Sequence, residues 1–207
     1  MLEPRYMPAE EVASSAIHGL GIVLGVGGLL FMVAIAARHG DGWDFGASIV
    51  YGISLLLLST ASTLYYGIPN AAAKPVLRLI DHASIHVLIA GSCTPYALIS
   101  LRGSIGYTLF AIMWTIAVVG IATEMLGLRR RGIRVALYLG PGWIGLIAAQ
   151  PLYAGLTPAG FWLLIGGGLC CSVGVPFYMA KRMHYNHATW HAFVLAGSML
   201  HFLSLVV

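Results

Sequence analysis

Charge is what this chain of 207 residues has least of: eleven lysines and arginines and seven acidic residues make 9% of the sequence. A soluble domain carries about 25%, so neither a water-facing globule nor a disordered polyelectrolyte fits. Cysteine is also scarce, with Cys93 and the adjacent Cys170 and Cys171 all inside apolar runs, which excludes a disulfide scaffold. No ten-residue stretches alternate as in a membrane β-barrel. No Gly-x-Ser-x-Gly elbow is present for a serine hydrolase. No basic domain is available to hold nucleic acid, and none is expected as a partner.

Apolar sequence fills the space that these absences leave: 59% of the residues are hydrophobic. A helical span needs about 20 apolar residues, and runs near that length recur at 16–37, 46–66, 84–101, 105–126, 134–154, 159–180 and 187–207. The expected architecture is an all-α membrane protein, one seven-transmembrane helix bundle over residues 1–207 with a short tail at 1–15. Glu10 and Glu11 precede the first run where a signal peptide would be basic, so that run is read as a span. Arg5, Lys74, Arg78, Arg129, Arg130, Arg131, Arg134, Lys181 and Arg182 fall on one side of this topology, and Arg38 and Arg102 on the other. The bias predicts a cytoplasmic N-terminus and an outside C-terminus. The expected location is the cell membrane, the cytoplasmic membrane in a bacterium.

Ionisable residues inside a membrane are costly and mark functional sites. His18 opens the first span, Ser62 and Tyr66 close the second, Asp81, His82 and His86 open the third, Glu124 closes the fourth, and His187 and His191 open the seventh. All lie in the leaflet predicted to be cytoplasmic. His187 and His191, like His82 and His86, are spaced i, i+4, which presents both imidazoles on one helical face. Such nitrogens suit zinc with an open position for water, and a zinc-bound water can attack an ester or amide carbonyl. His18 reads as a hydrogen-bonded helix-end residue, and Glu124 as a counter-charge to Arg129–Arg131.

The segment Asp81 to Pro95 (DHASIHVLIAGSCTP) resembles the third-span signature of the hemolysin III family, the bacterial branch of the progestin and adiponectin receptor superfamily. His184 to Phe202 (HYNHATWHAFVLAGSMLHF) is similar to its final signature, and Glu10 to Gly19 (EEVASSAIHG) matches more loosely, with serine and isoleucine in place of asparagine and threonine. Gly167, Gly168, Phe177 and Tyr178 fit as well. The resemblance implies seven helices and a zinc near the cytoplasmic face, held by one histidine of a second-span Ser-x-x-x-His motif and two of the seventh span, with an aspartate of the third span completing the site through water.

Carried over, His187, His191, Asp81 and Ser62 match, whereas Tyr66 stands where the second-span histidine belongs. His86 stands where the family has tyrosine, as though the two residue types had exchanged helices. His86 is the candidate third metal ligand. The alternatives are a two-histidine remnant without metal, or a ligand such as the Tyr66 phenolate. Five residues separate Asp81 from His86, or about 140° of helical rotation, so the two do not face one point without distortion.

The implied activity is zinc-dependent hydrolysis of a membrane-lipid amide or ester, with Asp81 and Ser62 as the catalytic pair and a role in membrane-lipid homeostasis. Alternatives are a pore or channel acting in cytolysis, as the family name suggests, and a sensor with a structural metal. The substrate and the oligomeric state stay open.

Overall fold

The computed structural model describes residues 8–128, 131–180 and 182–207, without the side chain of Arg131. Helix accounts for nearly all of it, and no strand occurs among the described residues. The helices are α1 (Pro8–His39), α2 (Gly42–Gly67), α3 (Lys74–Pro95), α4 (Ser104–Met125), α5 (Arg131–Ile144), α6 (Ala149–Gly155), α7 (Pro158–Met179) and α8 (Asn186–Val206). They supply seven stretches long and apolar enough to cross a membrane, α5 and α6 sharing one. Arg5, Arg129, Arg130 and Lys181, four of the nine basic residues behind the expected orientation, lie outside the described residues.

Three boundaries differ from expectation. First, residues from Pro8 onward are already helix, so the second half of the expected tail is helical. Second, α3 begins at Lys74, ten residues before the expected span, so Asp81 and His82 sit on its second and third turns. Third, the fifth span is broken by a 3-10 turn at Gly145–Ala148. Pro151 follows in α6, and its ring would clash with the carbonyl four residues earlier in a continuous helix.

The middle of the bundle is α2 and α3, where 56% of the span is buried, against 22% for α1. Close helix approach depends on small residues in a membrane: a Cβ on Gly52 would lie 2.7 Å from that of Leu29 on α1. Two apolar clusters fill the interior, one around Tyr96, Leu109, Met113 and Leu152, the other around Tyr51, Leu58, Leu88 and Trp190.

Each end has its own clasp. Between α1 and α2, Asp41 accepts hydrogen bonds from the backbone of Trp43 (2.8 Å) and Asp44 (3.2 Å), while Asp44 accepts from Asp41 (2.8 Å). Arg102, from the α3–α4 turn, reaches both Asp41 oxygens at 2.9 and 2.7 Å. The Arg102 guanidinium, with the Asp44 and Trp43 amides adding to it, pulls the Asp41 carboxyl down to about 2. At the other end Lys74 donates to Glu11 (3.1 Å) and to the Tyr65 carbonyl (2.7 Å), tying the start of α3 to α1 and α2.

Candidate functional site

The polar residues gather at the end of the bundle where α1, α3, α5 and α8 begin and α2, α4 and α7 finish. On α8, His187 and His191 bring their rings to 4.5 Å between centroids, edge to face. His18 of α1 completes a run of three imidazoles: its Nε2 lies 2.8 Å from His191 Nδ1, with the rings 4.4 Å apart. Tyr66 of α2 closes the other side, its hydroxyl 2.5 Å from His187 Nε2 and its ring 5.2 Å from that of His191.

Ser62 lies one turn before Tyr66 on α2, and its hydroxyl donates a hydrogen bond to Asp81 on α3. Asp81 is only 2% exposed. Its other oxygen lies 3.3 Å from His82 Nδ1, which also lies 3.0 Å from the Arg78 carbonyl, so one ring nitrogen serves two acceptors. A carboxylate buried to this degree survives through such partners.

His86 is in a different place. It is 1% exposed, packed on the glycine face of α4 and 5.1 Å from the Tyr138 ring of α5. A Cβ on Gly120 would overlap its ring. The structure therefore brings together Ser62 and Asp81, and His187 with His191, but does not bring His86 to them. The 140° offset from Asp81 is the physical reason: Asp81 faces α2 while His86 faces α4.

Glu124 has Arg134 as a partner. Arg134, inside α5, donates Nε to one carboxylate oxygen at 2.7 Å and a terminal nitrogen to the other at 3.1 Å, both side chains being buried. Arg129, Arg130 and the Arg131 side chain are not described.

His18 is the functional candidate that sequence reasoning undervalued. It is hydrogen-bonded as expected, but it lies inside α1 and not at a helix end, and its partner is a site histidine. Glu10, Ser14 and His18 recur every four residues on α1 and are all buried. That polar stripe was the available signal.

Imidazole and carboxylate are donor types that zinc favours. A metal-ligating histidine has one ring nitrogen engaged by a partner and the other free for the ion. His191 matches: Nδ1 meets His18, while Nε2 is buried with no hydrogen-bond partner. Among the described residues no three His, Cys, Asp or Glu side chains converge on one point. The donors present are thus two imidazoles with the Tyr66 hydroxyl beside them.

Next to this cluster lies a cavity of about 160 Å³ whose walls are mainly apolar, including Leu88, Trp143, Leu164 and Val194. Trp190 separates the two, lining the cavity while its ring lies 5.2 Å from His187 and 4.8 Å from His191.

The family model for haemolysin-III related proteins matches residues 6–202, nearly the whole chain. This chain belongs to the hemolysin III family. It is 43% identical over 190 residues to the Hemolysin-3 homolog of Bacillus subtilis (strain 168), covering 91% of this chain and 89% of that one. It is 41% identical over 194 residues to Hemolysin-3 of Bacillus cereus, covering 93% and 89%. A more distant likeness, 23% over 209 residues, connects it to the human monocyte to macrophage differentiation factor, at 96% and 84% coverage. The chain is an integral membrane protein of the hemolysin III type, with its buried polar residues concentrated at one end of the seven spans.

Proposed function

We propose that this hemolysin III protein hydrolyses the acyl amide or ester bond of a membrane lipid at a zinc centre near the cytoplasmic leaflet. The observation that supports this most is His191, whose Nδ1 is held by His18 while its buried Nε2 has no partner. His187 and His191 would hold the ion, with Tyr66 beside them where the family has a histidine. When bound, zinc supplies an acidified water and polarises a carbonyl.

The chain's own groups have separate tasks. Asp81, fixed by Ser62 and flanked by His82, takes the proton released as water adds to the carbonyl and returns it to the leaving amine or alcohol. His18 holds His191 in one tautomer. The cavity behind Trp190 excludes water and accepts an acyl chain entering sideways from the bilayer. The products are a fatty acid and an amine or alcohol. The cluster shares its end of the bundle with Lys74, Arg78, Arg134 and Arg182, against Arg38 and Arg102 at the other, which supports a cytoplasmic location for the site.

The test is elemental analysis of the full-length protein purified in detergent without added zinc, followed by acyl release from vesicles containing ceramide or phospholipid. About one zinc per chain, with release abolished by a chelator, is expected. No zinc after supply and washing overturns the proposal. The hemolysin names of the Bacillus relatives favour a second reading, membrane lysis by assembled chains. Dye release from vesicles without acyl release would establish that reading instead.

A further inference from the structure

The last helix begins without a cap of its own. Tyr185, at its N-cap, has φ 57° and ψ 19° and gives no side-chain hydrogen bond to the first turn. The opening N–H groups of a helix have no partners within it, and in a low-dielectric surrounding each one left bare is costly. The missing acceptor comes from the opposite end of the sequence: Glu10 Oε1 accepts from the backbone N–H of His187 at 3.2 Å, across 177 positions. Glu10 is buried, with 7% of its surface exposed. Its negative charge meets the positive end of the α8 dipole.

This contact falls on the first of the two site histidines. The next contact between the same helices, His18 with His191, falls on the second. Glu10 and His18 lie two turns apart on one face of α1, and His187 and His191 one turn apart on α8. Two polar contacts at different levels fix both the height and the rotation of α8, which a single contact cannot do. Glu11, the next residue, points elsewhere and pairs with Lys74.

We propose that Glu10 is a positioning residue of the site: by capping α8 at His187 it sets where the His187 and His191 imidazoles stand. The proposal rests on the zinc reading only for its affinity readout. A second readout, the side-chain nitrogen spectrum of the histidines, does not depend on metal.

The experiment uses the full-length protein in detergent with 15N-labelled histidine, as wild type and as Glu10→Ala, Glu10→Gln and Glu11→Ala. Imidazole nitrogens are recorded first, and zinc is then titrated. Glu10→Ala is expected to move the His187 and His191 resonances and to weaken zinc about 10–100-fold, the effect usual for the loss of an outer-shell partner. Glu10→Gln keeps an acceptor oxygen and is expected to restore both readouts to within a few-fold of wild type. Glu11→Ala should leave them unchanged.

Wild-type resonances in Glu10→Ala, or equal shifts in Glu11→Ala, overturn the proposal. If wild type binds no zinc, the metal reading fails and the nitrogen spectra alone decide the role of Glu10. If Glu10→Ala does not fold, Glu10→Asp, one methylene shorter, is read in the same way: moved resonances support positioning and unmoved ones overturn it.

Discussion

His18 and His191 stand 173 positions apart in sequence and meet through a 2.8 Å contact between Nε2 of one and Nδ1 of the other. Two neutral imidazoles make such a bond only when one donates and the other accepts, so each ring constrains the tautomer of the other. The remaining nitrogen of His191 is the unpartnered atom around which the site is proposed to work.

That assignment predicts an order among histidine variants. His191→Ala and His187→Ala are expected to abolish bound zinc, and His18→Ala to weaken it about 10–100-fold. His86→Ala is expected to leave it bound, because that ring lies against α4. Zinc per chain by elemental analysis checks all four, and loss of zinc in His86→Ala would return the third-ligand role to His86.

Asp81→Asn is expected to lower acyl release about 10²–10⁴-fold, the usual contribution of a general base, with zinc content near wild type. Ser62→Ala, which removes only the hydrogen bond that holds the carboxylate, should cost about 10–100-fold. Rates on vesicle substrate measure both. Equal losses in the two variants would show that Asp81 acts only through its position.

Glu124 and Arg134 form a buried two-point ion pair, with 7% and 5% of their side chains exposed. Breaking it on one side, as in Glu124→Gln, is expected to destabilise the protein by about 3–5 kcal/mol, while replacing both residues with apolar ones of similar size costs less. Thermal melting in detergent of the two single variants and the double variant tests this.

The Asp41–Arg102 contact predicts a pH dependence at the far end of the bundle. The Arg102 guanidinium and the Asp44 and Trp43 amides hold the folded-state Asp41 carboxyl at about 2, below its ordinary range. Its stabilising contribution is therefore complete above the ordinary carboxylate pKa and is lost as pH falls through about 2. Asp41→Asn should melt lower than wild type at neutral pH, with the gap closing toward pH 2 and shrinking in high salt. A gap that persists at low pH would show that the charge is not its source.

The seven spans were legible because apolar runs of membrane length are a one-dimensional signal, and the sharing of one end by the histidines and Asp81 followed from their positions in those runs. Rotation about each helix axis was not legible in the same way. Asp81 and His86 share a span, yet one faces Ser62 on α2 and the other Gly120 on α4, and only inter-helix contacts decide that. The i, i+4 spacing of His82 and His86 was a true helical relation without a shared target: His82 stays with Asp81. His18 was undervalued because its importance comes from a partner 173 residues away. The break at Gly145–Ala148 was signalled by Pro151, but hydropathy alone runs straight through it.

The seat of His86 on α4 also ties two positions of the chain together. With the ring where it lies, a methyl group at 120 would overlap it. Any residue larger than glycine at 120 therefore requires the His86 ring to move or a smaller side chain at 86.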